Sequence, residues 1–395
     1  MTRSPAAPRI LLVGAYERDN FGDLLYLHVT ERYLADAETV ASAPFSADMT
    51  ALLDRKVPGY APLLRAQSFD AIWTVGGQVG AIDLRRAYRM SAPAHTYRQH
   101  RRLPRRWRER ALRRAAGELT PLSPYIPSPR EFPRNAGAVT VVNSAGLSGI
   151  RHVEPERREK LIALLRGQTA IAVRDRASSA LLAERGIEHR LEPDAVHALG
   201  AVLPARRDPD SDIAVVQVSS AILRRLGHAA VAEAIAASPR LRALRIRLLL
   251  AGTATGHDSV TDYELLVNHV RRVAPRLDIM IVGARRPLAL VDEIRRARVV
   301  VGSSLHVRIV ASAYGVPRVS QVRSKPARYA RTWDRDMPYN VSLPALDAAV
   351  GSALAAAERP DVAARSAALV QRSHQHLTSL AGDVLARTCL EAATG

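Results

Sequence analysis

The chain is short of cysteine, lysine, aromatic residues and long apolar runs. Cys389 is its only cysteine, which excludes an intrachain disulfide framework and suits a reducing compartment. No run approaches the roughly 20 apolar residues of a spanning helix, and Met1 to Arg9 holds no apolar stretch of signal-peptide length. The expectation is a soluble, cytoplasmic chain, with peripheral contact at the inner face of a membrane left open. No Gly-x-Gly-x-x-Gly follows the first strand and no Gly-Lys-Ser/Thr loop occurs, so NAD or ATP use gains no support. A Gly-x-Ser-x-Gly elbow is also absent. The histidines lack His-x-x-x-His or Glu-x-x-His pairings, so no metal site is expected.

What is abundant is positive charge. Lys+Arg number 57 against 38 Asp+Glu, a formal net charge of +19. Such a balance favours anionic partners: phosphorylated substrates, an anionic membrane surface or nucleic acid. Arginine and alanine are plentiful while lysine is scarce, so biased genome composition is a competing source of the excess. Arg98 to Arg114 alone holds nine arginines around Trp107, within a proline-bearing insertion at about 91–133. A solvated basic helix and a patch for anionic lipid headgroups or a phosphate-bearing acceptor are both open readings. Nucleic acid is a weaker fit, because no stacking-aromatic pattern or known nucleic-acid module accompanies the patch.

At 395 residues with 47% hydrophobic content, the chain suits two domains with sizeable cores. Short apolar runs alternate with helical patterns, the signature of parallel sheets with crossover helices. Strands are predicted at Ile10–Gly14, Ala71–Val75, Ala138–Asn143, Thr169–Val173 and His189–Leu191, then at Ile213–Val218, Ile246–Leu250, Asp278–Val282, Val299–Gly302 and Val316–Ser320. Amphipathic segments include Glu156–Leu165, Ala177–Glu184, Ala229–Ala237 and Tyr263–Val273. A polar, proline-bearing link near Leu203 to Ser211 marks a boundary. The expected organisation is residues 1–205 as one Rossmann-like domain, 206–345 as a second that binds the donor, and 346–395 as two or three alanine-rich helices. The fold class is α/β: two doubly wound domains facing a cleft, with ligands beyond the carboxyl ends of strands.

Five motifs follow one another in order. They are Gly14 with Asn20-Phe21-Gly22-Asp23, then Asp70 to Gly77 ending in a Gly76-Gly77 pair, Val173-Arg174-Asp175-Arg176-Ala177-Ser178, Glu192-Pro193-Asp194-Ala195, and Ser303-Ser304-Leu305-His306 with Gly315-Val316-Pro317. Together, over about residues 10 to 325, they resemble the polysaccharide pyruvyl transferase family. The resemblance implies a fold similar to GT-B glycosyltransferases, phosphoenolpyruvate as donor substrate, no further cofactor, and a saccharide or lipid-linked saccharide as acceptor. The product would be a pyruvate ketal in polysaccharide or glycolipid biosynthesis. The family often has arginine directly before its Leu-His pair, where this chain has Ser304. Arg308, Arg323 and Lys325 are near in sequence and could replace it, and Lys325 resembles a lysine that often follows the Gly-Val-Pro element.

The residue chemistry is read beside that resemblance. Phosphoenolpyruvate carries a carboxylate and a phosphate, and planar guanidinium groups pair with both. Arg174, just after a strand, is the leading donor-binding candidate; an ion pair with Asp175 or Asp194 that braces the domain is the structural alternative. His306, at an expected helix start where backbone N–H groups attract anions, suits protonation of the donor methylene or phosphate binding; a structural cap is its alternative. Asp23 could take a proton from a sugar hydroxyl or cap a helix over Leu24–Leu34. Asn20, Gly22, Gly76, Gly77, Ser304, Arg308 and Lys325 complete the expected binding set, with Arg285 and Arg286 a weaker hint after the strand ending at Val282.

Two rival functions stay open: a GT-B-type glycosyltransferase using a nucleotide sugar, and a non-enzymatic basic protein that binds anionic membrane or nucleic acid.

Overall fold

A computed structural model describes residues 7–119 and 121–394. Residues 1–6 of the N-terminal stretch and the side chain of Cys389 lie outside the described residues. The chain divides into two compact units. As far as they are described, one comprises Met1–Arg18, Tyr26–Ala195 and Gln375–Gly395, and the other Asp19–Leu25 and Val196–His374. The division after Ala195 precedes the expected link. It also places Asp19–Leu25 with the second unit and splits the C-terminal helices, which sequence order alone gives no reason to expect.

The first unit is built on a six-stranded parallel sheet. Its strands are β1 (Arg9–Val13), β2 (Glu38–Ser42), β3 (Ala71–Thr74), β4 (Val139–Ala145), β5 (Ala170–Val173) and β6 (Arg190–Leu191). Their spatial order is β2-β1-β3-β4-β5-β6. Sheets of this type are covered on both faces, so central strands read as continuous apolar runs. Ile10 to Val13 are buried without exception, as are all seven residues of β4.

The second unit carries a five-stranded parallel sheet: β7 (Ile213–Gln217), β8 (Arg245–Leu248), β9 (Ile279–Ile281), β10 (Val299–Gly302) and β11 (Arg318–Ser320). The order is β9-β8-β7-β10-β11. Val299, Val301 and Val319 join Ala214, Val216, Ile246 and Leu248 in its core, with helix Leu346–Ala357 packed on them. Burying each valine or larger aliphatic side chain contributes about 1.5–3 kcal/mol.

All ten expected strands form, within a residue or two at their ends. Three strands form that the sequence did not signal: the short antiparallel pair Ala47–Asp48 and Lys56–Val57, and, in the six-stranded sheet, β2, Glu-Thr-Val-Ala-Ser, whose outer half is partly exposed at a sheet edge. The C-terminal stretch forms two helices, Leu346–Ala357 and Pro360–Thr394. No helix among the described residues is long and apolar enough to cross a membrane.

Candidate active site

In the second unit the carboxyl ends of β7, β10 and β11 lie side by side. β10 runs into Ser303, Ser304 and helix Leu305–Ala313. Gln217, at the end of β7 and in register with Gly302, organises this turn. Its Oε1 accepts from the backbone N–H of Ser303 at 3.0 Å and of Ser304 at 2.8 Å, and from Ser303 Oγ at 3.1 Å. Gln217 Nε2 donates to both Asp258 oxygens at 3.0 Å, and the Ala251 N–H donates to Asp258 Oδ2 at 2.7 Å. Burial pushes the Asp258 carboxyl up to about 6, against the lowering effect of these donors. The amides of Ser303 and Ser304 are therefore already bonded. The anion-attracting end of the helix rests on the first-turn amides that follow, which have no intrahelical acceptor.

Two buried polar atoms frame that helix end. Ser219 Oγ, just beyond β7, and Gln321 Oε1, just beyond β11, have no hydrogen-bond partner among the described residues. Buried polar groups are nearly always paired, so both atoms are able to bond a further group beside the helix start. Arg323 and Lys325 are exposed at the start of helix Ser324–Trp333, on the loop that leaves β11.

His306 is buried in the first turn of its helix. Against its ring lies Gly22: a Cβ built there would stand 1.7 Å from His306 Nδ1. Glycine is required by this close approach. The Asn-Phe-Gly-Asp loop is thus brought onto the Ser-Leu-His motif, almost three hundred residues later, within one unit. The loop is fixed from several sides. The Phe21 N–H donates to Ala251 O at 3.0 Å. Asp19 Oδ2 accepts from the Thr253 N–H at 3.0 Å and from Thr253 Oγ1 at 2.6 Å, and pairs with Arg285 Nη2. Helix Phe21–Tyr33 begins earlier than expected. Asp23 is therefore not its N-cap but a residue of its first turn, and Asn20 Nδ2 donates to Asp23 Oδ2 at 2.7 Å.

Arg308, expected in the binding set, is bound up within its own unit instead. It is buried on the same helix, where Nη1 donates to Ser320 Oγ at 3.1 Å and Pro338 O at 2.9 Å, and Nη2 to Asp334 O at 3.0 Å and Met337 O at 2.9 Å. Its Nε sits 2.7 Å from Asp334 Oδ2. Arg318 pairs with the same carboxylate. The whole guanidinium fork is committed to the unit's own groups. Ser304, in place of the family arginine, is a half-buried N-cap residue. Arg286 is the N-cap residue of helix Pro287–Arg295.

The first unit holds the remaining candidates. Arg174 is buried, with Nη1 donating to Asp194 Oδ2 at 2.8 Å and to the Tyr26 hydroxyl. Tyr26 in turn donates to Asp194 Oδ2 at 2.5 Å. Burial works against the Arg174 charge, but Tyr26 and Asp194 outweigh it and raise the pKa. Asp175 caps the next helix, accepting from the Ser178 N–H at 2.9 Å. Gly76, at φ +142°, lies under the Tyr26 ring, where a Cβ would meet Cε1 at 2.7 Å. Gly77, at φ +97°, accepts at its carbonyl from the Gly146 N–H at 2.8 Å. These residues form one buried assembly in which Arg174 is neutralised by Asp194.

Sequence reasoning missed Gln217, Ser219, Asp258, Asp19, Thr253 and Gln321. Their types are common and their spacing is irregular; only their positions at or beyond strand ends could have flagged them.

The polysaccharide pyruvyl transferase family model matches residues 20–320. The chain belongs to the polysaccharide pyruvyl transferase family. That family is one of transferases. None of the curated proteins matches the chain. Among solved structures, sucrose-phosphate synthase from Thermosynechococcus elongatus is similar at TM-score 0.51 and 14% identity, covering 98% of this chain and 100% of that one. A protein from Listeria monocytogenes assigned as a UDP-N-acetylglucosamine 2-epimerase is similar at TM-score 0.51 and 11% identity, covering 92% and 91%. These likenesses establish the GT-B-like α/β fold of this pyruvyl transferase family member and nothing about its substrate.

Proposed function

We propose that this family member transfers the pyruvate group of phosphoenolpyruvate onto two hydroxyls of a saccharide, releasing inorganic phosphate. The observation that carries the reading is the packing of Gly22 against His306, which gathers Asn20, Asp23 and His306 at the helix end beside β7 and β11. In this reading the helix N-terminus, Arg323 and Lys325 receive the donor's anionic groups. His306 delivers a proton to the methylene carbon, which becomes the methyl group, and leaves an oxocarbenium-like centre at C2. One sugar hydroxyl adds there and gives up its proton, with Asp23 as acceptor. Phosphate departs with the C2–O bond electrons, and the second hydroxyl closes the ketal as its proton is lost. The overall change is enol phosphate plus diol to ketal plus phosphate.

The test is phosphate release from phosphoenolpyruvate in the presence of lipid-linked and nucleotide-linked sugars. His306→Ala is expected to lower turnover at least 100-fold, in line with the usual worth of a positioned acid, with the melting transition retained. A chain whose melting temperature rises with UDP-sugars but not with phosphoenolpyruvate would instead be a glycosyltransferase.

A further inference from the structure

We infer that the two-helix arm Ala94–Arg102 and Arg105–Ala115 is a docking surface for an anionic lipid bilayer. The inference is independent of the reaction at His306. Of the nine arginines from Arg98 to Arg114, all but Arg108 are exposed. The one acid in the segment, Glu109, is occupied by Arg85 at 2.7 Å and Arg105 at 3.1 Å.

The second helix has two distinct sides. Leu112 is buried in the unit's core, and Ala116 follows it one turn on. Arg106, Trp107, Arg110 and Arg114 occupy the opposite side, by the 3.6-residue period of a helix. Leu103 is 41% exposed and Trp107 48%. Among the described residues these are the exposed large apolar side chains of the first unit. They stand four positions apart in the sequence, inside the arginine cluster. The guanidinium carbons of Arg106 and Arg110 each lie 5.9 Å from the Trp107 ring centre.

An indole and a leucine ringed by guanidinium groups fit the interfacial zone of a bilayer. The apolar pair enters the acyl boundary while the cations meet lipid phosphates. Single-stranded nucleic acid calls for a succession of aromatic platforms. Here Tyr97 is half-buried and stacked on His100 with centroids 6.4 Å apart, so Trp107 stands alone. The arm is held as one piece, since His100 Nε2 bonds Arg108 O at 3.0 Å and the His100 ring meets Tyr88 at 5.0 Å.

The experiment uses the full chain with vesicles of phosphatidylcholine, alone or with about 30% phosphatidylglycerol, at low and high salt, including brominated lipids. Trp73 is fully buried and Trp333 half-buried, so Trp107 is the indole placed to report contact. Binding is expected to anionic vesicles only, to weaken at high salt, and to quench fluorescence in the wild type but not in Trp107→Phe. The paired change Arg106→Gln with Arg110→Gln is expected to lower the partition coefficient about 25-fold, from the worth of each basic residue near such a surface, with an unaltered melting temperature. Equal affinity for neutral and anionic vesicles, quenching that persists in Trp107→Phe, or capture of duplex DNA without vesicle binding would each overturn the inference.

Discussion

Gly22→Ala tests whether the loop and the histidine motif form one site. The added methyl would stand 1.7 Å from His306 Nδ1 and 2.1 Å from Cγ. A Cβ essentially never comes within 3.0 Å of a heavy atom outside its own residue and chain neighbours, so the ring or the loop must retreat by at least 1.3 Å, the difference between 3.0 and 1.7. Neither moves freely. The ring is buried in a helix first turn, and the loop is tied to Ala251, Thr253 and Arg285. Overpacking of this kind costs about 1–3 kcal/mol. A misplacement of roughly 1 Å lowers turnover by about 100-fold. Urea unfolding and phosphate release measure the two effects separately. The double change Gly22→Ala with His306→Ala removes the ring that is struck, so its stability should exceed the sum of the single effects by about 1 kcal/mol or more while activity stays lost. Wild-type stability and turnover within threefold for Gly22→Ala would refute the packing argument.

Two further outcomes follow from the buried charges of the second unit. Arg308→Met leaves Asp334 with Arg318 alone and takes a donor from Ser320 Oγ and the carbonyls of Asp334, Met337 and Pro338, so urea unfolding should show a loss of about 3–5 kcal/mol; Arg308→Lys should recover little, because lysine lacks the fork. A loss under about 1 kcal/mol for Arg308→Met would remove the bracing role. Asp258 has its folded pKa raised from 3.8 to about 6, so between those values the folded state holds the extra proton and stability falls as pH rises. A rise of that size corresponds to a full penalty of about 3 kcal/mol, reached above pH 6. Asp258→Asn cannot titrate, so the wild type's stability relative to this variant should shrink by that amount from about pH 4 to pH 7. A difference that stays constant across the range would show that Asp258 does not titrate in this way.

The sheets were legible because parallel strands covered on both faces must be continuously apolar, and runs such as Ile10–Val13 and Val299–Val301 can be little else. β2 escaped because an edge strand whose first half is partly exposed needs no such run. His306 and the Asn-Phe-Gly-Asp loop were legible as separate motifs, but their meeting was not. Nothing in the residues between 23 and 303 states that Asp19–Leu25 packs with the second unit; that follows from the ties of Asp19 to Thr253 and Arg285. The expected helix start at Leu24 erred because Phe21 and Gly22 are poor signals for a first turn. Here glycine is retained for the ring packed against it, against its weak helix propensity.

The arginines show why cation chemistry is hard to read in this chain. When nearly every basic residue is arginine, the type no longer separates ligand binding from bracing, and only the partners do. Arg174 has Asp194 and Tyr26, and Arg308 shares Asp334 with Arg318. Each lies beside a buried carboxylate, and a buried guanidinium without such a partner would be prohibitively unstable. The deciding feature is the acid, and it is structural: Asp194 and Asp334 are buried carboxylates beside these guanidinium groups, yet in sequence each stands among other charged residues such as Glu192, Arg335 and Asp336. Arg323 and Lys325 differ in being exposed, at the start of helix Ser324–Trp333. On the proposed reading, exposure at a helix start rather than burial beside a carboxylate is what leaves Arg323 and Lys325 reachable by an anionic donor.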